Sequence, residues 1–201
     1  ASPPEGAMVL FDGTNTDAFR NGRIENELLQ AGTEIIESQN DFTLHLEFKV
    51  PYMPYARGQS RGNSGVYLHS RYEVQILDSF GLTGEFNECG SLYRYQPPSQ
   101  NMAFPPLSWQ TYDIMFRAAS FDKDGEKTQD EKLSVMHNGV HVHRDFQVER
   151  KTGAGKQEAA NLLPTKLQDH SDPVEFRNIW VVDHAFYPEV DYCTICLPTG
   201  P

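Results

Sequence analysis

Residues 42–50 alternate strictly between apolar and polar positions. Phe42, Leu44, Leu46, Phe48 and Val50 share one face, and His45, Glu47 and Lys49 the other. A period of two is the signature of a strand buried on one side. Residues 66–69, 72–76, 112–116, 133–137 and 176–182 follow the same pattern. Asn138-Gly139 joins two such runs and predicts a two-residue hairpin turn, because both positions tolerate positive φ. No stretch of a dozen residues has helical periodicity, and residues 158–163 are expected to make one helical turn. The 15 glycines and 13 prolines are spread as punctuation between the runs. Many short strands with frequent turns predict an all-β antiparallel sandwich or jelly roll with little helix. One domain is expected over residues 1–201, with its core over about 8–183 and a tail over 184–201. Residues 122–132 read as an exposed loop, and residues 52–62, with Arg57 and Arg61, as a flexible crossover.

Charge narrows the function. The 201 residues carry 17 basic and 28 acidic side chains, so the formal net charge is 17 − 28 = −11. Nucleic-acid backbones and anionic membranes require clustered Lys and Arg, and neither is an expected partner. No run of 18 apolar residues is present, so no membrane span is expected. The residues after Ala1 show no charged-then-apolar leader, as in a trimmed or mature chain, which leaves the compartment undecided by this route. Cys89, Cys193 and Cys196 are too few for a disulfide scaffold. The last two have redox or half-zinc spacing, but Pro198, Gly200 and Pro201 follow where a thioredoxin-type site needs a helix. A structural tail is expected there, with one disulfide in an oxidising compartment. No glycine-rich phosphate loop and no Gly-x-Ser-x-Gly elbow occurs, which removes support for a nucleotide-dependent enzyme or a serine hydrolase.

The candidate chemistry lies in residues 63–78. Taken through a tight turn near Ser70, Val66, Leu68, Tyr72, Val74 and Ile76 form an apolar face. Asn63, Tyr67, His69, Arg71, Glu73 and Gln75 form the opposite one. Rings, amides, a guanidinium and a carboxylate on one face can stack on a pyranose and hydrogen-bond its hydroxyls; an ordinary wet sheet face is the alternative. Glu73 and Gln75 share a face roughly 6.5–7 Å apart along the strand. Asp78 has the wrong parity, but one bulge would bring it round to pair with Glu73 in the manner of a glycosidase. A turn-capping role for Asp78 fits equally well. Asp169 beside His170 offers a carboxylate that could orient an imidazole, the arrangement of a general base or a metal ligand. His137, His141 and His143 flank the Asn138-Gly139 turn and read as edge-strand polar residues. Tyr93 and Tyr95 are core or sugar-stacking aromatics, whereas Trp109 and Tyr112 are assigned to the core.

Asn63-Ser-Gly-Val-Tyr67 and Tyr72-Glu-Val-Gln-Ile-Leu-Asp78 resemble the central signature of the 3-keto-disaccharide hydrolase domain family. Leu10-Phe-Asp-Gly-Thr14, Gly90-Ser-Leu-Tyr93, Trp109 with Tyr112, Asn138-Gly139, Leu167-Gln-Asp-His170, Pro173-Val174 and Phe176-Arg-Asn-Ile179 follow in the family's order. The resemblance implies a concanavalin A-like β-sandwich with a sugar-binding sheet, acting on glycosides already oxidised at C3. In such a sugar the C2 proton is acidic, because the carbanion is delocalised onto the ketone oxygen. One base can remove it, the C1 leaving group departs, and water adds to the enone. On this reading Glu73 is the base or acid, and His170, steadied by Asp169, is the second proton carrier. Arg71, Arg177 or a divalent metal faces the enolate oxygen. Asn63, Tyr67, His69, Gln75 and Tyr93 bind the sugar. No ligand spacing specifies a metal and no cofactor is required by the sequence; the oligomeric state is open. A non-catalytic carbohydrate-binding module on the same sheet is the alternative. A periplasmic or extracellular location is expected of a sandwich directed at oligosaccharides.

Overall fold

The computed structural model describes residues 1–185. Its strands, numbered in chain order, form two main antiparallel sheets and one separate two-stranded hairpin. One runs in the order β13 (Val140–Val148), β12 (Glu131–His137), β9 (Trp109–Arg117), β6 (Phe42–Lys49), β15 (Glu175–Asp183), β4 (Leu28–Gln30) and β3 (Ile24–Glu25), with β1 (Met8–Phe11) also on β15. The other runs β2 (Phe19–Arg20), β5 (Thr33–Ile35), β14 (Lys166–Leu167), β7 (Ser64–Leu68) and β8 (Tyr72–Ile76). The two sheets stack as an all-β sandwich, as the alternation predicts.

The core is built from the apolar faces read in the sequence. Phe42, Leu44, Leu46 and Phe48 of β6 and Tyr112, Ile114 and Phe116 of β9 meet Val66, Leu68, Tyr72, Val74 and Ile76 of the β7–β8 hairpin. Each such side chain taken fully out of water contributes about 1.5–3 kcal/mol, so this face fixes strand register more strongly than hydrogen bonding does. Asn138 (φ +50°) and Gly139 (φ +78°) form the expected turn between β12 and β13.

Several expectations are corrected. Residues 158–163 make no helical turn; the Arg71 guanidinium takes the Gln157 and Asn161 carbonyls and the Tyr72 hydroxyl donates to Glu158 at 3.0 Å. Residues 122–132 are not a plain loop: β10 (Ser120–Phe121) and β11 (Lys127–Gln129) form a small hairpin, and β12 begins at Glu131. The 52–62 crossover contains a 3₁₀ turn at Gly58–Ser60. His137 and His143 are buried, with His137 Nε2 bonded to Gln110 Oε1 at 2.9 Å and His143 Nε2 to the Gly90 carbonyl at 2.8 Å, while His137 Nδ1 has no hydrogen-bond partner. Trp109 lies partly exposed on the outer face, where the Arg177 guanidinium covers its ring at 4.0 Å. His45 does point away from the core, yet it is only 1% exposed, because it stacks on Trp180 and bonds Asp113 at 2.6 Å. Cys89 is buried and free; Cys193 and Cys196 lie outside the described residues.

Candidate active site

In the β7–β8 hairpin Tyr67 stands directly across from Glu73, and Gly65 from Gln75. Side chains opposed in this way lie about 5 Å apart, so these positions share one patch. Gly65 makes the room: a Cβ there would collide with the Glu73 carboxylate. Asn63, Tyr67, Glu73, Gln75, Tyr93 and His170 line one cavity of about 130 Å³ with Gln59, Ala154 and Gln168. A second hollow of about 390 Å³ adjoins it, sharing Tyr67, Ala154 and Gln168.

Segments remote in sequence complete the walls. Gln59, on the 3₁₀ turn, accepts from Asn63 Nδ2 through its carbonyl at 2.7 Å. The stretch after β14 is tied to the open end of the hairpin: the Gln168 amide N–H donates to the Gly65 carbonyl at 2.9 Å, and Asp172 accepts from the Asn63 N–H at 2.7 Å. This anchoring holds exposed His170 at the cavity. On the other side a strap, residues 151–164, crosses the polar face of the hairpin. Thr152 Oγ1 accepts from the Glu73 N–H at 2.8 Å and donates to the Arg71 carbonyl at 3.2 Å.

Glu73 is 2% exposed, and its Oε2 has no hydrogen-bond partner. Burial pushes its carboxyl up to about 7, while a hydrogen bond from the Tyr67 hydroxyl pulls the other way. Desolvation dominates because a carboxylate taken out of water loses more than one neutral donor returns. Burial, and then the Glu73 charge, raise the Tyr67 phenol, which therefore remains a donor. With its amide oriented to satisfy both ends, Gln75 Nε2 donates to the Ser64 carbonyl at 3.0 Å and to Glu73 Oε1 at 3.1 Å. A buried acid with a titration point near neutrality can give or take a proton at physiological pH.

Five expected site residues lie elsewhere. His69 and Ser70 adopt positive φ (+47° and +56°), and the turn carries the His69 ring off the polar face onto Phe42 and Phe116, where Nε2 meets the Gln39 carbonyl at 2.7 Å. Arg71 turns to the strap, donating to the carbonyls of Gln157 and Asn161 and to Asn161 Oδ1. Arg177 sits on the outer face of the other sheet, paired with Glu47 at 2.7 Å. Asp78 pairs with Arg61 at 3.1 Å and does not line the cavity. Asp169 accepts from the Ser171 N–H at 2.8 Å, lines the adjoining hollow, and leaves the His170 ring without its expected carboxylate. Gln59, Thr152 and Ala154 carry no mark in the sequence pattern, and Gly65 and Gln168 enter it only as motif positions without an assigned role. Gly65 within a strand pattern is the signal that could have marked close approach. Among the described residues no group of three or more His, Cys, Asp and Glu side chains could hold a metal ion. The donors around Glu73 are amides, phenols and one imidazole, so no step is routed through a metal.

A β-sandwich with a buried acid, amides and phenols converging on one hollow defines a class of carbohydrate-active proteins. The family model for the 3-keto-alpha-glucoside-1,2-lyase-like domain matches residues 6–182, and the chain belongs to that family. A crystal structure of a candidate glycosyl hydrolase from Parabacteroides distasonis ATCC 8503 superposes with TM-score 0.80 at 29% identity, over 90% of this chain and 85% of that one. A second structure from the same organism, also of a candidate glycosyl hydrolase, gives TM-score 0.65 at 18% identity, over 89% and 94%, and shares the fold. No curated protein matches the sequence.

Proposed function

We propose that the protein cleaves glycosides whose ring is oxidised at C3, by elimination across C1 and C2 followed by hydration. Family membership and the 29% identical neighbour support a carbohydrate-active role. The observation that carries the reaction type is Glu73: a single buried acid titrating near neutrality, with no second carboxylate in its cavity. Ordinary glycosidases need two carboxyl groups at a set separation. Removing an acidic proton α to a ketone needs one base. Ionised Glu73 takes the C2 proton, and the electron pair moves onto the C3 oxygen. It then returns to form the C1–C2 double bond as the bond from C1 to the leaving oxygen breaks. His170, at the exposed edge of the cavity, supplies the proton that the leaving oxygen takes up. Water then adds its oxygen at C1 and gives its released proton to His170, restoring it, while Glu73 returns the first proton to C2, so the sum is hydrolysis. Asn63, Gln168 and Tyr93 supply the neutral donors for the C3 oxygen; neither Arg71 nor Arg177 lines this cavity.

The test is to incubate the protein with 3-keto-trehalose and with unoxidised trehalose, following glucose release. Release from the keto sugar alone, lost in Glu73→Gln, supports the reading. Equal cleavage of both sugars, or turnover surviving that substitution, overturns it. Binding without turnover points instead to a carbohydrate-binding module.

A further inference from the structure

The 390 Å³ hollow beside the Glu73 cavity is polar and charged. Lys156 and Lys166 line it together with Glu34 and Asp169, and Asn21 and Ser70 add neutral hydrogen-bonding groups. Lys166 is engaged: its ammonium lies 2.6 Å from Glu34, which also receives Arg20 at 3.1 Å. The nearby Lys166 holds the Glu34 carboxyl below its ordinary value, as does Arg20 more weakly. Asp169 accepts one backbone N–H, from Ser171. Among the described residues no ion pair engages Lys156. The hollow is lined by two cations (Lys156 and Lys166) and two carboxylates (Glu34 and Asp169); Arg20, pairing with Glu34 from outside the lining, brings the local balance to 3 − 2 = +1. The chain as a whole carries −11.

The position of Lys156 is set although its side chain is free. Its backbone N–H donates to the Ser70 carbonyl at 2.9 Å, and the preceding Gly155 packs so closely on the Arg71 carbonyl that a Cβ would overlap it. The strap thus presents Ala154 to the cavity that holds Glu73 and Lys156 to the hollow next to it. The hollow shares Tyr67, Ala154 and Gln168 with the Glu73 cavity, so a ring seated over Glu73 has it as its neighbour.

We propose that this hollow is a leaving-group subsite selective for an anionic leaving group, with Lys156 as the cation that reads the charge. The assignment rests on the reacting ring being seated over Glu73. An unpaired cation on the rim of a partly enclosed groove, with Lys166 and Arg20 already engaged by Glu34, favours a carboxylate over a neutral group of the same shape. Lys156 is a specificity residue and takes no part in proton transfer.

A matched pair of ligands tests it: the 4-carboxyphenyl and 4-carbamoylphenyl glucosides, alike in shape and different in charge. Binding of the unoxidised pair is measured by calorimetry, and cleavage of the 3-keto pair by phenol release. The native protein is expected to favour the carboxylate about tenfold in both, and 0.5 M salt should reduce the preference. In Lys156→Gln the ratio should fall to about one, whereas Lys156→Arg should keep it. No preference in the native protein, no binding of either ligand, or a preference that survives Lys156→Gln overturns the subsite. Selective binding without cleavage of either keto ligand upholds the subsite and refutes the lyase reading instead.

Discussion

Replacing Glu73 by Gln should abolish turnover and yet stabilise the protein at alkaline pH. The substitution keeps the shape that fits against Gly65 and removes the charge. Burial moves the Glu73 carboxyl from its ordinary 4.5 to about 7. Below pH 4.5 the group is neutral whether folded or unfolded, and its desolvation costs nothing. As pH rises the unfolded chain ionises first, so the folded state is increasingly penalised until pH passes 7. At 1.36 kcal/mol for each tenfold, the full penalty is about 3 kcal/mol; it is about 1 kcal/mol at pH 5 and nearly complete at pH 8.5. Glu73→Gln should therefore gain roughly 3 kcal/mol over the native protein at pH 8.5, a rise in Tm of roughly 6–12 °C for a domain of this size. At pH 5 the difference should shrink to about a third. Urea unfolding at the two pH values measures it, and native kcat/KM should rise with pH to a midpoint near 7. A pH-independent difference, or a variant less stable than the native protein at pH 8.5, would show that Glu73 is ionised and solvated, and the proposed base would have to be given up.

Three further outcomes follow from close contacts. Gly65→Ala pushes a Cβ into the Glu73 carboxylate, whose free end can swing aside; folding should survive with a change under about 1 kcal/mol, while kcat/KM falls about 10²-fold, as displaced catalytic groups do. Gly155→Ala meets the Arg71 backbone, which cannot yield, so a loss of about 1–3 kcal/mol by thermal unfolding is expected, with weaker substrate binding as the strap lifts. Glu131 is 0% exposed, its carboxyl oxygens lack hydrogen bonds and Lys127 reaches Oε2 only at 3.9 Å, and burial, reinforced by Glu158, raises its pKa. Glu131→Gln should therefore be the more stable protein, by at least about 1 kcal/mol at pH 9, with the advantage vanishing toward pH 4.5; a constant difference across that range would contradict the burial.

The amino-acid order alone sets which side of β6, β9 and the β7–β8 hairpin faces the core, because the pleat places alternate residues on opposite faces; in β15 the parity breaks between Phe176 and Ile179, where Asn178 has positive φ. The same order also sets the Asn138-Gly139 turn, through the positive φ both residues accept, and the grouping of Asn63, Tyr67, Glu73 and Gln75. Tertiary structure decided what covers that polar face. The strap 151–164, Gln59 and the segment holding His170 come from far along the chain, and their bonds to the hairpin run between residues whose spacing carries no period. The divergence of His69 and Arg71 has the same origin: parity ends where φ turns positive at His69 and Ser70. Alternation could mark Glu73 as facing away from the core. Only the layer folded over it removes the water that would hold its proton affinity at the ordinary value.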